Sequence, residues 1–185
     1  GIPKGVMLSH GNIVANVLGC AEAITIDHSD VALSFLPLSH IFERTVDYLM
    51  FYRGATIAYA ESVETVAKNM LEVRPTVVAC VPRFFEKMYA RIQDAMAASS
   101  PLRRGLMSWA LNVGKQFNQT TYATRRVPVL LTLQKGLAEI LVFSKLKHML
   151  GGRVRFFISG GAPLAAELAE YFFSAGILIL EGYGL

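Results

Sequence analysis

Five short apolar runs punctuate the chain, and none alternates strictly with polar residues. They occupy 31–36, 55–59, 76–81, 154–158 and 177–180, each with Pro or Gly close to one or both ends. Unbroken apolar runs of this length predict strands buried on both faces, as in a parallel sheet. The segments between them carry a helical period. Val63, Val66, Ala67, Met70 and Leu71 form one stripe, with Ser62 as its expected N-cap. Phe85, Met88, Tyr89, Ile92 and Met96 form a second, with Pro82 in its first turn. Leu106, Trp109, Ala110, Val113 and Phe117 form a third. Such Met and aromatic stripes predict core contacts rather than a cofactor box. Alternating strands and helices predict an α/β fold, an open, mostly parallel sheet with flanking helices. The alternation lapses over about 82–150, where the pattern is all-helical and predicts an insertion between two strands. No internal repeat or linker marks a second domain, so 1–185 reads as a single piece of one domain.

Composition narrows the class. Of 185 residues, 53% are hydrophobic and 17% charged, which excludes intrinsic disorder. The best candidate for a membrane span, 129–150, is interrupted by Lys135, Glu139, Lys145 and Lys147, so no spanning helix is expected. Cys20 and Cys80 both sit in apolar sequence and predict reduced thiols in a reducing compartment. The first residues carry no signal-peptide core. The chain opens without Met and closes on Gly184-Leu185, which reads as a piece of something longer.

Charge is unevenly spread. The net charge is +4, yet residues 101–155 hold ten Lys or Arg against one acid, Glu139. The bases are Arg103, Arg104, Lys115, Arg125, Arg126, Lys135, Lys145, Lys147, Arg153 and Arg155. Such a segment suits an anionic membrane surface or a polyphosphate ligand, and equally a solvated helix face. No nucleic-acid-binding motif accompanies it, so no nucleic-acid partner is expected.

Ligands of parallel sheets bind at the carboxyl ends of the strands, and polar or glycine-rich sequence follows four of the predicted strands. Ser159-Gly160-Gly161-Ala162-Pro163-Leu164 combines close backbone approach with a helix start, suited to a phosphate or a base edge, or to an ordinary turn. Glu181-Gly182-Tyr183-Gly184 leaves a ring available for stacking. Pro37-Leu38-Ser39-His40 sets a His at a strand exit, and Val81-Pro82-Arg83 follows the third run. Pro3-Lys4-Gly5 presents a Lys in a turn that can reach phosphate oxygens. The patterns of a P-loop, a Rossmann dinucleotide site and a serine hydrolase elbow are all missing. His10, His28, His40 and His148 have no metal-ligand spacing, and no paired acids suggest carboxylate acid–base chemistry.

The order of these five motifs resembles the adenylate-forming (AMP-binding) superfamily, and within it bacterial long-chain fatty acid–CoA ligases. The resemblance covers essentially the whole chain. The helical insertion, closing on Phe143-Ser144-Lys145-Leu146 and Gly151-Gly152-Arg153, resembles that of the long-chain branch. It implies ATP-dependent adenylation of a fatty acid, then thioester formation with coenzyme A, with ATP, Mg2+ and coenzyme A as the molecules used. By the same resemblance Lys4 and Gly5 end a phosphate loop, and His40 is the catalytic histidine beside the adenylate carbonyl and the acyl tunnel. Gly160, Gly161, Ala162 and Pro163 line the adenosine. Glu181, Gly182, Tyr183 and Gly184 form the adenine site, with Tyr183 stacking on the base. No protein metal ligand is expected within the chain. Arg44 stands where some members carry a tryptophan gate, which puts a gate of that design in doubt. The family's continuation after Gly184-Leu185 and its C-terminal domain are not in this sequence, so the 185 residues alone are expected to be inactive. The expected location is cytoplasmic, peripheral at the inner membrane, and an oligomer is open. Two other readings stay open: an adenylating enzyme for another carboxylate, and a non-catalytic nucleotide-binding or membrane-docking module.

Overall fold

The computed structural model describes residues 5–124 and 126–183. Among these residues five strands form one sheet: β1 (Val31–Ser34), β2 (Thr56–Tyr59), β3 (Val77–Cys80), β4 (Phe156–Ser159) and β5 (Ile179–Glu181). Their order is β2-β1-β3-β4-β5 and every pairing is parallel. Among the described residues eight α-helices accompany them: α1 (His10–Ala23), α2 (Ile41–Tyr52), α3 (Val66–Val73), α4 (Pro82–Ala97), α5 (Pro101–Thr124), α6 (Val129–Ala138), α7 (Ser144–His148) and α8 (Ala166–Ser174). A π-helical turn, Glu139–Phe143, joins α6 to α7.

The alternation of side chains along each strand feeds two cores. Ala32, Val77, Ala79, Phe156 and Ile158 face α1 and α2, where Val17, Ala21, Val46, Leu49 and Met50 are buried. Leu33, Val78, Cys80 and Phe157 face the other layer, built from α3 to α8, with Phe85, Phe143 and Phe172 at its centre. β3 and β4 are buried at every position, which explains their unbroken apolar sequence. The edge strand β2 is half-exposed.

Local chemistry sets the element ends. Ser9 caps α1 by a reciprocal box with Asn12. Pro82 occupies the first turn of α4, where its missing N–H costs nothing. The α3 stripe is shorter than its sequence predicts. Thr65, not Ser62, stands at the N-cap, because the Ser62 and Thr65 hydroxyls bond each other's backbone amides in a turn before the helix. Val63 and Leu71 are exposed, and Val66, Asn69 and Met70 form the buried face. Gly114 lets α5 lie directly on α8: a Cβ there would stand 2.0 Å from the Ser174 carbonyl oxygen. Beside it the Asn118 amide donates to the Phe173 carbonyl at 3.0 Å.

The amino ends of the strands are tied by one ion pair. Arg155, just before β4, donates to both Asp30 oxygens at 2.7 and 2.6 Å, and Asp30 is 2% exposed. The Thr76 hydroxyl donates to the same carboxylate at 2.6 Å. Arg155 therefore leaves the solvated basic segment in which composition placed it. Lys115 pairs with Glu170 at 2.9 Å, and Lys147 with Glu139 at 2.6 Å. Lys135 stands 3.8 Å from Glu139 and 4.2 Å from the centre of the Phe143 ring, and burial lowers its pKa. Among the described residues of the segment, Arg103, Arg104, Arg126, Lys145 and Arg153 make no ion pair with an acid.

Candidate functional site

The carboxyl ends of β1, β3, β4 and β5 bring four of the sequence motifs to one edge of the sheet. After β4 the chain runs through Gly160 and Gly161 towards α8. The Gly160 amide donates to the Cys80 carbonyl of β3 at 3.1 Å. Gly161 takes φ +80°, a conformation that suits glycine. After β5 the Gly182 amide donates to the Ser159 carbonyl at 2.8 Å. The Glu181 carboxylate accepts from the Leu164 amide at 3.3 Å, joining the two glycine-rich turns.

Phe42 connects these turns to the His40 loop. A Cβ on Gly160 would stand 2.7 Å from the Phe42 ring, and one on Gly182 3.8 Å from it. Only glycine at 160 admits the ring. A Cβ on Gly161 would meet the Val81 side chain at 3.8 Å, so the turn after β3 adjoins the same place. His40 stands at the N-cap of α2, two residues before Phe42, without a side-chain capping bond, and its side chain is exposed. Gly161, Ala162, Pro163, Gly182 and Tyr183 are also exposed, Tyr183 at 96%. The edge is thus an open ledge of backbone and one free ring, able to take a flat or anionic group from solvent. Gly5 is exposed and has nothing within 4 Å of a Cβ position, so it is not drawn against the ledge. Lys4 and Gly184 lie outside the described residues.

The sequence reading missed the acids behind the ledge. It found no paired carboxylates, but Glu43 and Asp47, one turn apart on α2, are 1% and 4% exposed. Burial pushes the Glu43 carboxyl up to about 7; the Asp47 charge pushes the same way, while the Ser34 hydroxyl and the amides of Phe35 and Leu36 oppose it. Burial also raises Asp47, which accepts from the Tyr59 hydroxyl at 3.0 Å. Glu43 Oε2, Asp47 Oδ1 and the Ser34 hydroxyl have no hydrogen-bond partner. On the opposite face of β3 the Cys80 thiol is buried, and burial and the Glu43 charge hold its pKa well above the usual thiol range. The available signal was the i, i+4 spacing of the acids among Phe42, Val46, Leu49 and Met50, on the face that turns to the sheet.

Among the described residues no three His, Cys, Asp or Glu side chains gather as a cation site. No helix described is long and apolar enough to cross a membrane.

The family model "AMP-binding enzyme" matches residues 1–185. Long chain acyl-CoA synthetase 6, peroxisomal, of Arabidopsis thaliana is 37% identical over 190 residues, covering 100% of this chain and 25% of that protein. Long-chain-fatty-acid–CoA ligase 5 of Mus musculus is 35% identical over 190 residues, covering 100% of this chain and 26% of that protein. The chain therefore spans about a quarter of the length of these relatives. Among solved structures, the N-terminal domain of FACL13 from Mycobacterium tuberculosis superposes with a TM-score of 0.61 at 20% identity, covering 100% of this chain and 34% of that one. The A-PCP didomain of carboxylic acid reductase from Segniliparus rugosus, in complex with AMP, superposes at 0.63 with 24% identity, covering 99% and 22%. At these identities the solved structures establish the fold.

Proposed function

The chain belongs to the AMP-binding enzyme family, and from that premise we propose that the polypeptide carrying it is an ATP-dependent long-chain fatty acid–CoA ligase. The observation that carries the reading is the ledge: two glycine-rich turns joined by Glu181, with Phe42 seated on Gly160 beside His40. In this reading the fatty carboxylate attacks the α-phosphate of ATP, forming the acyl-adenylate and releasing pyrophosphate. The thiol of coenzyme A then attacks the acyl carbon and expels AMP. No enzyme-bound covalent intermediate forms, so positioning and charge neutralisation supply the rate. Gly160, Gly161, Ala162 and Pro163 border the adenosine; Glu181, Gly182 and Gly184 border the adenine, and Tyr183 stacks on it. Lys4 and Gly5 meet phosphate oxygens, and His40 faces the reacting carboxyl. In this reading magnesium arrives with ATP as substrate.

The experiment is pyrophosphate release by the full polypeptide across carboxylic acids of increasing length. Release that peaks with long acids supports the proposal. Release restricted to short or aromatic acids keeps the adenylation and rejects the long-chain claim. No release with any acid rejects both.

A second surface supports a peripheral location at a membrane. Val129, Leu130, Leu133, Leu137 and Ile140 form an exposed stripe along α6 and its π turn, in the chain segment that also carries Arg126 and Lys145. An apolar stripe accompanied by cations suits the interface of an anionic bilayer. The enzyme is proposed to act in the cytoplasm, docked peripherally where fatty acids partition. Sedimentation with vesicles that is indifferent to their anionic lipid content would reject this.

A further inference from the structure

We propose that Phe42 is a positioning residue: its ring is clasped by the two glycine-rich turns and thereby sets the place from which α2 presents His40. The inference deepens the ligase reading and rests on it for its kinetic consequence; its substance is geometry. Phe42 opens the stripe of α2 that turns to the sheet, followed at i+4, i+7 and i+8 by Val46, Leu49 and Met50, all buried. Phe42 itself is half-buried against the same core. Its ring meets the backbone just past β4 and just past β5. A Cβ on Gly160 would stand 2.7, 2.8 and 3.0 Å from Cε2, Cζ and Cδ2 of the ring, and one on Gly182 3.8 Å from the same Cε2. One edge of the ring therefore faces both turns.

The turns are the fixed side of this contact. The Gly160 amide bonds the Cys80 carbonyl and the Gly182 amide the Ser159 carbonyl, which carries the parallel ladder one residue beyond each strand. Gly160 does not take a positive φ, so the ring, and not the backbone, is what demands glycine there. His40 has no such hold. It stands exposed at the N-cap of α2 without a side-chain capping bond. Its amide donates to the Pro37 carbonyl at 2.9 Å, and the Arg44 Nε to the Leu38 carbonyl at 3.0 Å. Both bonds lie within the loop and the start of the helix, so they fix the shape of that segment and not its distance from the glycine turns. Phe42, two residues after His40, spans that distance. A nucleotide on the turns and a carboxyl beside His40 are thus kept in one frame, as a near-attack geometry requires.

The test is a double-mutant cycle in the full polypeptide: wild type, Gly160→Ala, Phe42→Val and the two together. Valine lacks every ring carbon that the added methyl would meet. The four are compared by fatty-acid-dependent pyrophosphate release, calorimetric AMP binding, melting temperature and the ring resonances of labelled histidine. With Phe42 present, Gly160→Ala should lower kcat by roughly tenfold to a hundredfold, the scale of a small misplacement, and move the His40 signals. In the Phe42→Val background the same methyl should cost kcat about twofold or less and leave those signals in place. Any loss of AMP affinity from the methyl should be equal in both backgrounds, since it arises at the turn itself. Should Phe42→Val not fold, Phe42→Leu, which removes the two ring carbons nearest the methyl, takes its place. A methyl effect on kcat and on the His40 signals that is the same in both backgrounds overturns the proposal. So does a cycle in which kcat, AMP affinity and melting temperature couple in parallel, which marks packing alone. If the wild type releases no pyrophosphate, the ligase reading fails by itself. The positioning claim is then decided by the His40 resonances, and their indifference to Gly160→Ala overturns it.

Discussion

At the scale of single residues, Tyr183 and Glu43 stand in opposite environments. Tyr183 stands free in solvent, and the proposed function has its ring stack on adenine. Stacking of a base on an aromatic ring contributes about 1–3 kcal/mol. Tyr183→Ala in the full polypeptide should therefore weaken AMP binding by roughly 5- to 150-fold in calorimetry, with little change in melting temperature. Glu43 is the reverse, a buried acid whose cost depends on pH. Its pKa rises from 4.5 to about 7 on folding, so the native state binds the extra proton between those values. Stability should then fall as pH rises through that window and level off above it. Glu43→Gln removes the titration. Urea unfolding should show the variant gaining on wild type from about pH 5 to 7, by on the order of 2 kcal/mol. A constant difference across that range would contradict the raised pKa. The exposure of Tyr183 was legible because glycines flank it at the end of an apolar run. Glu43 was not, because a Glu on a helix reads as solvated until the strand it faces is known.

At the scale of elements, apolar runs located all five strands, since burial on both faces leaves a continuous signature that needs no partner to be read. Helix ends were less legible. Ser62 looked like a cap for α3, and only the exchange of bonds with Thr65 shows that it closes a preceding turn. The close crossing of α5 and α8 was also invisible, because a glycine inside a helix gives no sign of what approaches it. Gly114→Ala would set a methyl 2.0 Å from the Ser174 oxygen, so the helices must part. Overpacking of this kind costs about 1–3 kcal/mol, even though Ala favours the helix itself. Chemical denaturation of the full polypeptide should show that loss; a neutral or stabilised variant would mean that the crossing yields easily.

At the scale of the molecule, the parallel sheet separates two tasks: loops at the carboxyl ends of its strands carry the ledge, and an ion pair fastens the amino ends. Burial would raise the Asp30 carboxyl, but Arg155, Thr76 and the Asp27 amide outweigh it and hold it low. That contribution is present in full above the ordinary carboxylate range and is lost as pH falls below it, through the lowered pKa of the folded state. Arg155→Met leaves Asp30 buried without its cation. Because Arg155 is 41% exposed, the loss should be about 2–3 kcal/mol, below the range for a fully buried pair. It should read out as a lowered melting temperature at neutral pH, shrinking in acid. The same pair joins residues 30 and 155 across the whole helical insertion. β3 and β4 are neighbours, yet about 75 residues, 81–155, separate them along the chain. The helices between can form locally in microseconds, whereas the central ladder waits for that span to close. Closure entropy grows only logarithmically, by about 0.6 kcal/mol per doubling of length. Extra residues between α5 and α6 should therefore change the speed of refolding more than the depth of the native well, so this stretch can vary in length while the sheet stays the same.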